Sequence, residues 1–325
     1  MSDMTVEDLQ DLLWTFAQHR VLTVAGRVGI LRRLAESGAT PDRVADDLKL
    51  EPYATGKLIR SLHAMGLLTA EGDTYRVVDG LAPHFVPGSK DITPFFEHSH
   101  DMYDGWGQNL EPWLCGEPWQ SGARDPESAR RFGAAMRAIG SEIARRTASA
   151  IDTDGVSSML DVGGGFGQYS IALCSKDPQL HATVLDTPAV VRLGRLELEG
   201  SGLEEKISFL DGDYLTTDYG NGYDLVLIAN VLHQERPPRA AEMVRRSAKA
   251  LAPGGRVAIV DFQIDDQQRE NVFGTLFAIN MRSFGDTYAE PVIRGWMSDA
   301  GLIDLTRTDL NRHKWLIVGK KPGAP

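Results

Sequence analysis

Within residues 158–261 of this 325-residue chain, four carboxylates, a glycine-dense turn and one histidine fall where apolar segments end. Asp161 closes the apolar run that begins near Ser158 and stands just ahead of Gly163, Gly164, Gly165 and Gly167. A turn this rich in glycine lets the backbone take positive φ and pass close to a ligand with no Cβ in the way. The nicotinamide-dinucleotide pattern G-x-G-x-x-G instead sets a pyrophosphate on a helix N-terminus. Here the third glycine comes one residue early and an acid precedes the turn. That carboxylate repels a pyrophosphate but accepts from an ammonium, so the expected ligand has an amino-acid end. S-adenosylmethionine (SAM) is the candidate.

Later segments supply the rest of such a site. Asp186 ends the apolar run His181–Leu185, 25 residues after Asp161, where a strand-tip carboxylate takes two ribose hydroxyls. Asp213 and Tyr214 follow a third run, Ile207–Leu210; an acid there accepts from an adenine amino group while an aromatic side chain covers the ring. Tyr223–Ala229 is continuously apolar, as a strand buried on both faces should be. It leads into Asn230, counted with the donor-binding set, and then His233. Prolines 237 and 238 open the next helix, which leaves His233 in the loop above the sheet on the same edge as the glycine turn. A neutral imidazole suits removal of a proton from an acceptor at cellular pH. Asp261, ending the fifth apolar run, is placed to take the other imidazole N–H and fix the tautomer.

These positions require alternating strands and helices over residues 149–325, a doubly wound α/β sheet whose last two strands, near 302–308 and 314–319, pair antiparallel. Residues 1–90 read differently. Apolar residues at helical spacing predict a helix over Val21–Leu34, Thr40–Pro41 caps a second helix, and Pro52–Met65 makes a third. Two short strands around Glu71–Asp73 then form a wing. Helix, helix, helix, wing is a winged-helix pattern, which raises DNA binding and a transcriptional regulator. The segment holds ten Lys or Arg against twelve Asp or Glu, so charge argues against nucleic acid and for a protein–protein role. Leu9, Leu12, Leu13 and Phe16 exceed what so small a domain should bury, and a homodimer is expected.

Residues 91–148 form an aromatic, helical connector in which Trp106, Phe132 and Met136 are candidates for an acceptor pocket, with Phe277, Met281 and Arg282 from the later domain. Glu97, His98, His100 and Asp101 gather four residues of metal-ligand type, but no second dense cluster accompanies them, and no metal is expected. The net charge of −11 gives no general attraction to nucleic acid or anionic membrane. Cys115 and Cys174 make neither a disulfide framework nor a thiolate site. The acidic N-terminus has no signal-peptide core and no run is long enough to span a bilayer, so a cytoplasmic location is expected.

Taken together, the chain resembles the SAM-dependent O-methyltransferases typified by plant caffeic-acid methyltransferase and their bacterial relatives that act on pigments and antibiotics. The resemblance covers nearly the whole chain: the winged N-terminal domain, Asp161 to Gly167, Asp186, Asp213–Tyr214, His233 and the Pro253–Gly255 turn. Phe132 to Met136 resembles the family's Phe-Asn-x-x-Met helix. It implies a class I methyltransferase fold with an N-terminal dimerisation domain, His233 as general base and an acid at 261 steadying it. There are departures. The family's His-Asp-Trp reads His233, Gln234, Glu235; its Asn after Phe132 is Gly133; its lysine four residues before the histidine is Ala229. A second glutamate is replaced within Gly285–Tyr288. The implied reaction is O-methylation of a hydroxylated aromatic or polyketide-like small molecule. C-, N- or S-methylation, or SAM binding without transfer, are the alternatives within the family.

Overall fold

A computed structural model describes residues 4–88, 90–120, 126–265, 271–282 and 284–323, with only the helical backbone of 126–130. The chain divides into two compact units, Met1–Ile139 and Gly140–Pro325.

In the first unit, α1 (Val6–Arg27) starts at a reciprocal cap: the Thr5 hydroxyl accepts from Asp8 N–H, and the Asp8 carboxylate accepts from Thr5 N–H. The helix expected over Val21–Leu34 is broken. Gly29 takes φ +86°, and α2 (Ile30–Glu36) starts afresh behind it. Ala25, Leu31 and Leu34 are all buried on either side of the break, so the apolar spacing carries through it. Thr40 caps α3 (Pro41–Leu48) and the Glu51 carboxylate caps α4 (Pro52–Ala64), each with proline at the first helical position. The hairpin β1 (Leu68–Glu71) and β2 (Thr74–Val77) pairs Leu68 with Val77 and lays those two buried side chains on Ile59, Leu62 and Val44. Two long helices follow, α5 (Thr93–Leu114) and α6 (Pro126–Ala150), the latter continuing past Ile139 into the second unit. An added Cβ at Gly26 would sit 2.5 Å from the Phe96 ring, so glycine lets α1 lie directly on α5.

The second unit is a seven-stranded sheet. Its strands are β3 (Ser158–Val162), β4 (His181–Asp186), β5 (Ile207–Asp211), β6 (Tyr223–Ala229), β7 (Leu251–Phe262), β8 (Ile303–Asn311) and β9 (Lys314–Lys320), in the order β5-β4-β3-β6-β7-β9-β8. The first five are parallel; β9 runs antiparallel between β7 and β8. Helices α7 (Gln168–Lys176), α8 (Pro188–Leu198), α9 (Pro237–Ala250), α10 (Val272–Asn280) and α11 (Glu290–Asp299) connect them. The central strands are apolar on both faces because both are covered. Val226, Ile228, Val257 and Ile259 join one core layer, and Leu225, Leu227, Ala258 and Val260 the other. Strand order reverses between β3 and β6, and at such a switch the connections leave in opposite directions and open a crevice at the strands' C-terminal ends. The glycine turn leaves β3 there, and the His233 loop leaves β6. Among the described residues no helix is long and apolar enough to cross a membrane.

Candidate active site

Gly163 and Gly165 take φ +65° and +61°, and Gly167, at φ +79°, opens α7. The turn is held to the neighbouring strand because Gly163 N–H donates to Leu185 O at 2.8 Å. Its glycines answer to two pressures. A Cβ on Gly163 would meet Val231 at 2.8 Å, so this backbone touches the loop that carries His233, whereas a Cβ on Gly165 would stand in open space. Glycine at 165 is therefore required by its left-handed φ and leaves an uncovered backbone that a ligand can approach.

Two acids edge this turn. Asp161 is fully buried; one carboxylate oxygen accepts from Ser170 Oγ at 2.8 Å and the other has no partner. Burial raises this carboxyl to about 7 against the opposing Ser170 bond. An orphaned, buried acceptor is what a cationic group of a ligand would satisfy. Asp186, at the tip of β4, accepts from Gly165 N–H at 2.9 Å and from Thr187 N–H at 2.7 Å. Burial raises it too, and those backbone bonds oppose the rise. The acid–glycine–acid set thus fits the amino-acid and ribose ends of SAM, on the backbone space at Gly165 and the unpartnered Asp161 oxygen.

Asp213 and Tyr214 are placed differently from each other. Asp213 is exposed and caps its own turn, accepting from Leu215 N–H at 2.7 Å. Tyr214 is half-buried and gives its hydroxyl to Glu235 Oε1 at 2.7 Å. Glu235, where the related family has tryptophan, is a buried hub that also receives Arg239, while its carbonyl accepts from Tyr288. Sequence patterns did not reveal this hub, whose partners lie 21 and 53 residues away.

His233 sits in a 3-10 turn, Leu232–Gln234, and is 5% exposed. Its Nδ1 lies 2.7 Å from Asp261 Oδ1, and its backbone N–H donates to Asp261 Oδ2 at 3.3 Å. Phe262 N–H donates to the same carboxylate at 2.8 Å. Burial alone would raise Asp261, yet the charge and hydrogen bond of His233, with Lys314, hold it below its ordinary value. A carboxylate so held keeps the imidazole proton on Nδ1 and leaves the lone pair on Nε2. Edge-on packing against Phe262 (4.9 Å between ring centres) and Phe277 (5.3 Å) fixes the ring plane. From behind, Asp286 N–H donates to His233 O at 3.0 Å, and a Cβ at Gly285 would be 2.0 Å from that oxygen. The segment that lacks the family's second glutamate thus braces the His233 loop through its backbone.

Phe277 lies on α10 and Met281 and Arg282 just beyond it, all half-buried, with Arg282 at φ +59°. In the first unit, Trp106 is half-buried on α5. On α6, Phe132 is exposed with its ring against His98, and Met136, one turn on, is half-buried. The metal-type residues of α5 diverge: Glu97 pairs with Arg27, and His100 with Arg20. Among the described residues no three of His, Cys, Asp and Glu gather. Asn230, in left-handed backbone at φ +58°, turns its amide below the loop toward Tyr169 and Lys314. Lys314 and Tyr169 escaped sequence reasoning, the first because a lysine opening a strand reads as an ordinary edge charge.

Comparison with known proteins shows the family and the fold. Residues 102–301 match the O-methyltransferase domain family. The chain is 27% identical to the tetracenomycin polyketide synthesis 8-O-methyltransferase TcmO of Streptomyces glaucescens, over 97% of this chain and 96% of that protein. It is 28% identical, with the same coverage, to the N,N-dimethyltransferase OxyT of Streptomyces rimosus. In fold it matches human N-acetylserotonin methyltransferase, solved in complex with SAM, at TM-score 0.84 over 99% of both chains and 22% identity. With a sheet that opens at its switch point over an acid-edged glycine turn, and a match spanning most of its length, the chain belongs to the O-methyltransferase domain family and is a SAM-dependent methyltransferase.

Proposed function

We propose that the enzyme methylates a hydroxyl of a planar, hydroxylated aromatic or polyketide-like small molecule, with His233 as general base. The observation that carries this is the buried His233–Asp261 pair at 2.7 Å, on a loop whose Val231 packs against Gly163 of the donor turn. When bound, SAM supplies an electrophilic methyl group on a sulfonium, so the protein must align the acceptor, exclude water and take its proton. Asp161 and Asp186 hold the donor's ammonium and ribose ends. His233 Nε2 accepts the acceptor's proton while Asp261 keeps the Nδ1 proton and balances the imidazolium. Phe262 and Phe277 keep water from the ring, and Phe277 and Met281 offer a flat apolar acceptor a wall.

O-methylation is the function of TcmO, and N-methylation that of OxyT; a base bound to a buried carboxylate favours the hydroxyl, whose proton must leave as the bond forms. The enzyme works as a homodimer through its N-terminal unit, where Leu9, Leu12, Leu13, Trp14 and Phe16 are each 47–66% exposed along α1. The test is transfer of labelled methyl from SAM to a panel of polycyclic phenols and the matching anilines. His233→Ala is expected to leave SAM affinity in place and lower turnover on the phenols by roughly 10²–10⁴-fold. Asp261→Asn is expected to cost less, since the base remains. Wild-type turnover in His233→Ala, or label on the anilines alone, overturns the reading.

A further inference from the structure

Lys314 opens β9, opposite Phe262 in the sheet register and beside the Asp261–Trp315 pair. Its Nζ lies 3.0 Å from the centre of the Phe262 ring and donates to Asn230 Oδ1. Asn230 in turn donates its amide N–H to Tyr169 Oη at 2.7 Å. Asn230 is the first residue after β6, three before His233, and its carbonyl accepts from the Gln234 amide in the base turn. Tyr169 lies in the first turn of α7, the helix that leaves the glycine turn. One ammonium therefore reaches, through two hydrogen bonds, both the loop that carries the base and the helix that carries the donor turn.

Other charged and titratable groups surround this lysine. Asp261 attracts it from β7, and His233 lies beyond that carboxylate. Tyr169 faces Asn230 from α7, with Asp161 of β3 acting on the Tyr169 hydroxyl. In the turn before β9, His313 is pushed down by its own burial and by Arg312 and Lys314, and its ring lies tilted against Phe273 of α10. Burial pushes the Lys314 ammonium down to about 7, with Asp261 opposing. A methionine would fill the same space with no charge to bury. Packing alone does not account for a lysine here.

We propose that Lys314 is a positioning residue for methyl transfer: through Asn230 it fixes the base loop against the donor-turn helix, and it sets a positive charge on the Phe262 face, beside Asp261 in the sheet register. This role rests on the assignment of His233 as the base, and its test is chosen to stand apart from that assignment. The His233 imidazole is titrated by NMR in the free enzyme, and turnover is measured with SAM and a phenolic acceptor. Removing a nearby positive charge makes protonation easier. Lys314→Met is therefore expected to shift the imidazole's titration midpoint upward. The acidic limb of the pH–rate profile moves the same way, and turnover falls by about 10-fold or more with KM for SAM changed less. Lys314→Arg keeps the charge and restores the midpoint.

Tyr169→Phe removes only the hydroxyl at the end of the bridge. It is expected to lower turnover with the titration midpoint in place, and it keeps the proposal testable if Lys314→Met fails to fold. A midpoint unmoved in Lys314→Met, a midpoint moved equally in Lys314→Arg, or full turnover in Tyr169→Phe overturns the proposal. Full turnover in His233→Ala strikes the base assignment alone, because the titration reads the imidazole without catalysis.

Discussion

Replacing Asp161 with asparagine removes a charge from beneath the donor turn while keeping the shape and the acceptor for Ser170. In the folded free enzyme burial raises this carboxyl from its ordinary 3.8 to about 7. Below pH 4 the group is protonated in both the folded and the unfolded chain and costs nothing. As pH rises from about 4 to 7 the unfolded chain releases the proton and the folded chain keeps it, so stability falls across that window and levels off above it. Three units at about 1.4 kcal/mol each make this loss on the order of 4 kcal/mol. The amide escapes it, but its N–H₂ takes the place of the unpartnered Oδ1, a pH-independent cost of about 1–3 kcal/mol. Asp161→Asn is therefore expected to be more stable than the wild type at pH 8 and less stable at pH 4. Urea unfolding of the free protein at the two pH values, with unchanged m-values, measures the difference. The same variant should bind SAM about 10–100-fold more weakly, because the orphaned oxygen no longer meets the donor's ammonium. A stability difference that does not change between pH 4 and 8 refutes the buried-charge reasoning, and unchanged SAM affinity refutes the carboxylate's part in binding.

Further expectations concern the donor and the assembly. Asp186→Ala removes a charge-assisted acceptor for two hydroxyls, worth about 1.5–3 kcal/mol, so calorimetry should show SAM affinity falling by about 10–150-fold; binding of NAD in place of SAM would contradict the site. Leu12→Asp with Phe16→Asp places two charges one turn apart on the exposed apolar face of α1, and light scattering at micromolar concentration should then report a monomer. A dimer that persists moves the interface elsewhere.

Much of the sheet was legible because its signals are local. Asp161, Asp186 and Asp261 end apolar runs at strand tips, and the continuous apolar run Tyr223–Ala229 declares a strand covered on both faces. The break at Gly29 was hidden because the buried residues on either side keep helical spacing across it. Tyr214 was assigned to the donor from its neighbour Asp213. The bond from its hydroxyl to Glu235, a partner that only the packed fold brings near, was not legible. Lys314 and Tyr169 belong to the same class: residues of three elements meet at Asn230, and no spacing within any one of them announces it. The bracing of His233 by Gly285 and Asp286 was equally invisible, since it is made by backbone atoms.

The place of β9 has a consequence for how the enzyme is made. It is the last strand of the sheet in sequence, yet it lies between β7 and β8. On the ribosome, β3 to β7 can pair in order of synthesis, but β8 has no partner until β9 emerges and enters beside β7. Until then β7 presents a free edge, open to pairing with other chains. Asp261 lies on that edge without Lys314. A nascent chain stalled short of Lys314 therefore has its glycine turn and His233 loop synthesised without the Lys314–Asn230–Tyr169 hydrogen bonds between them. Its unpaired edge strand is the one that carries Asp261, and chaperone demand should concentrate at that late stage.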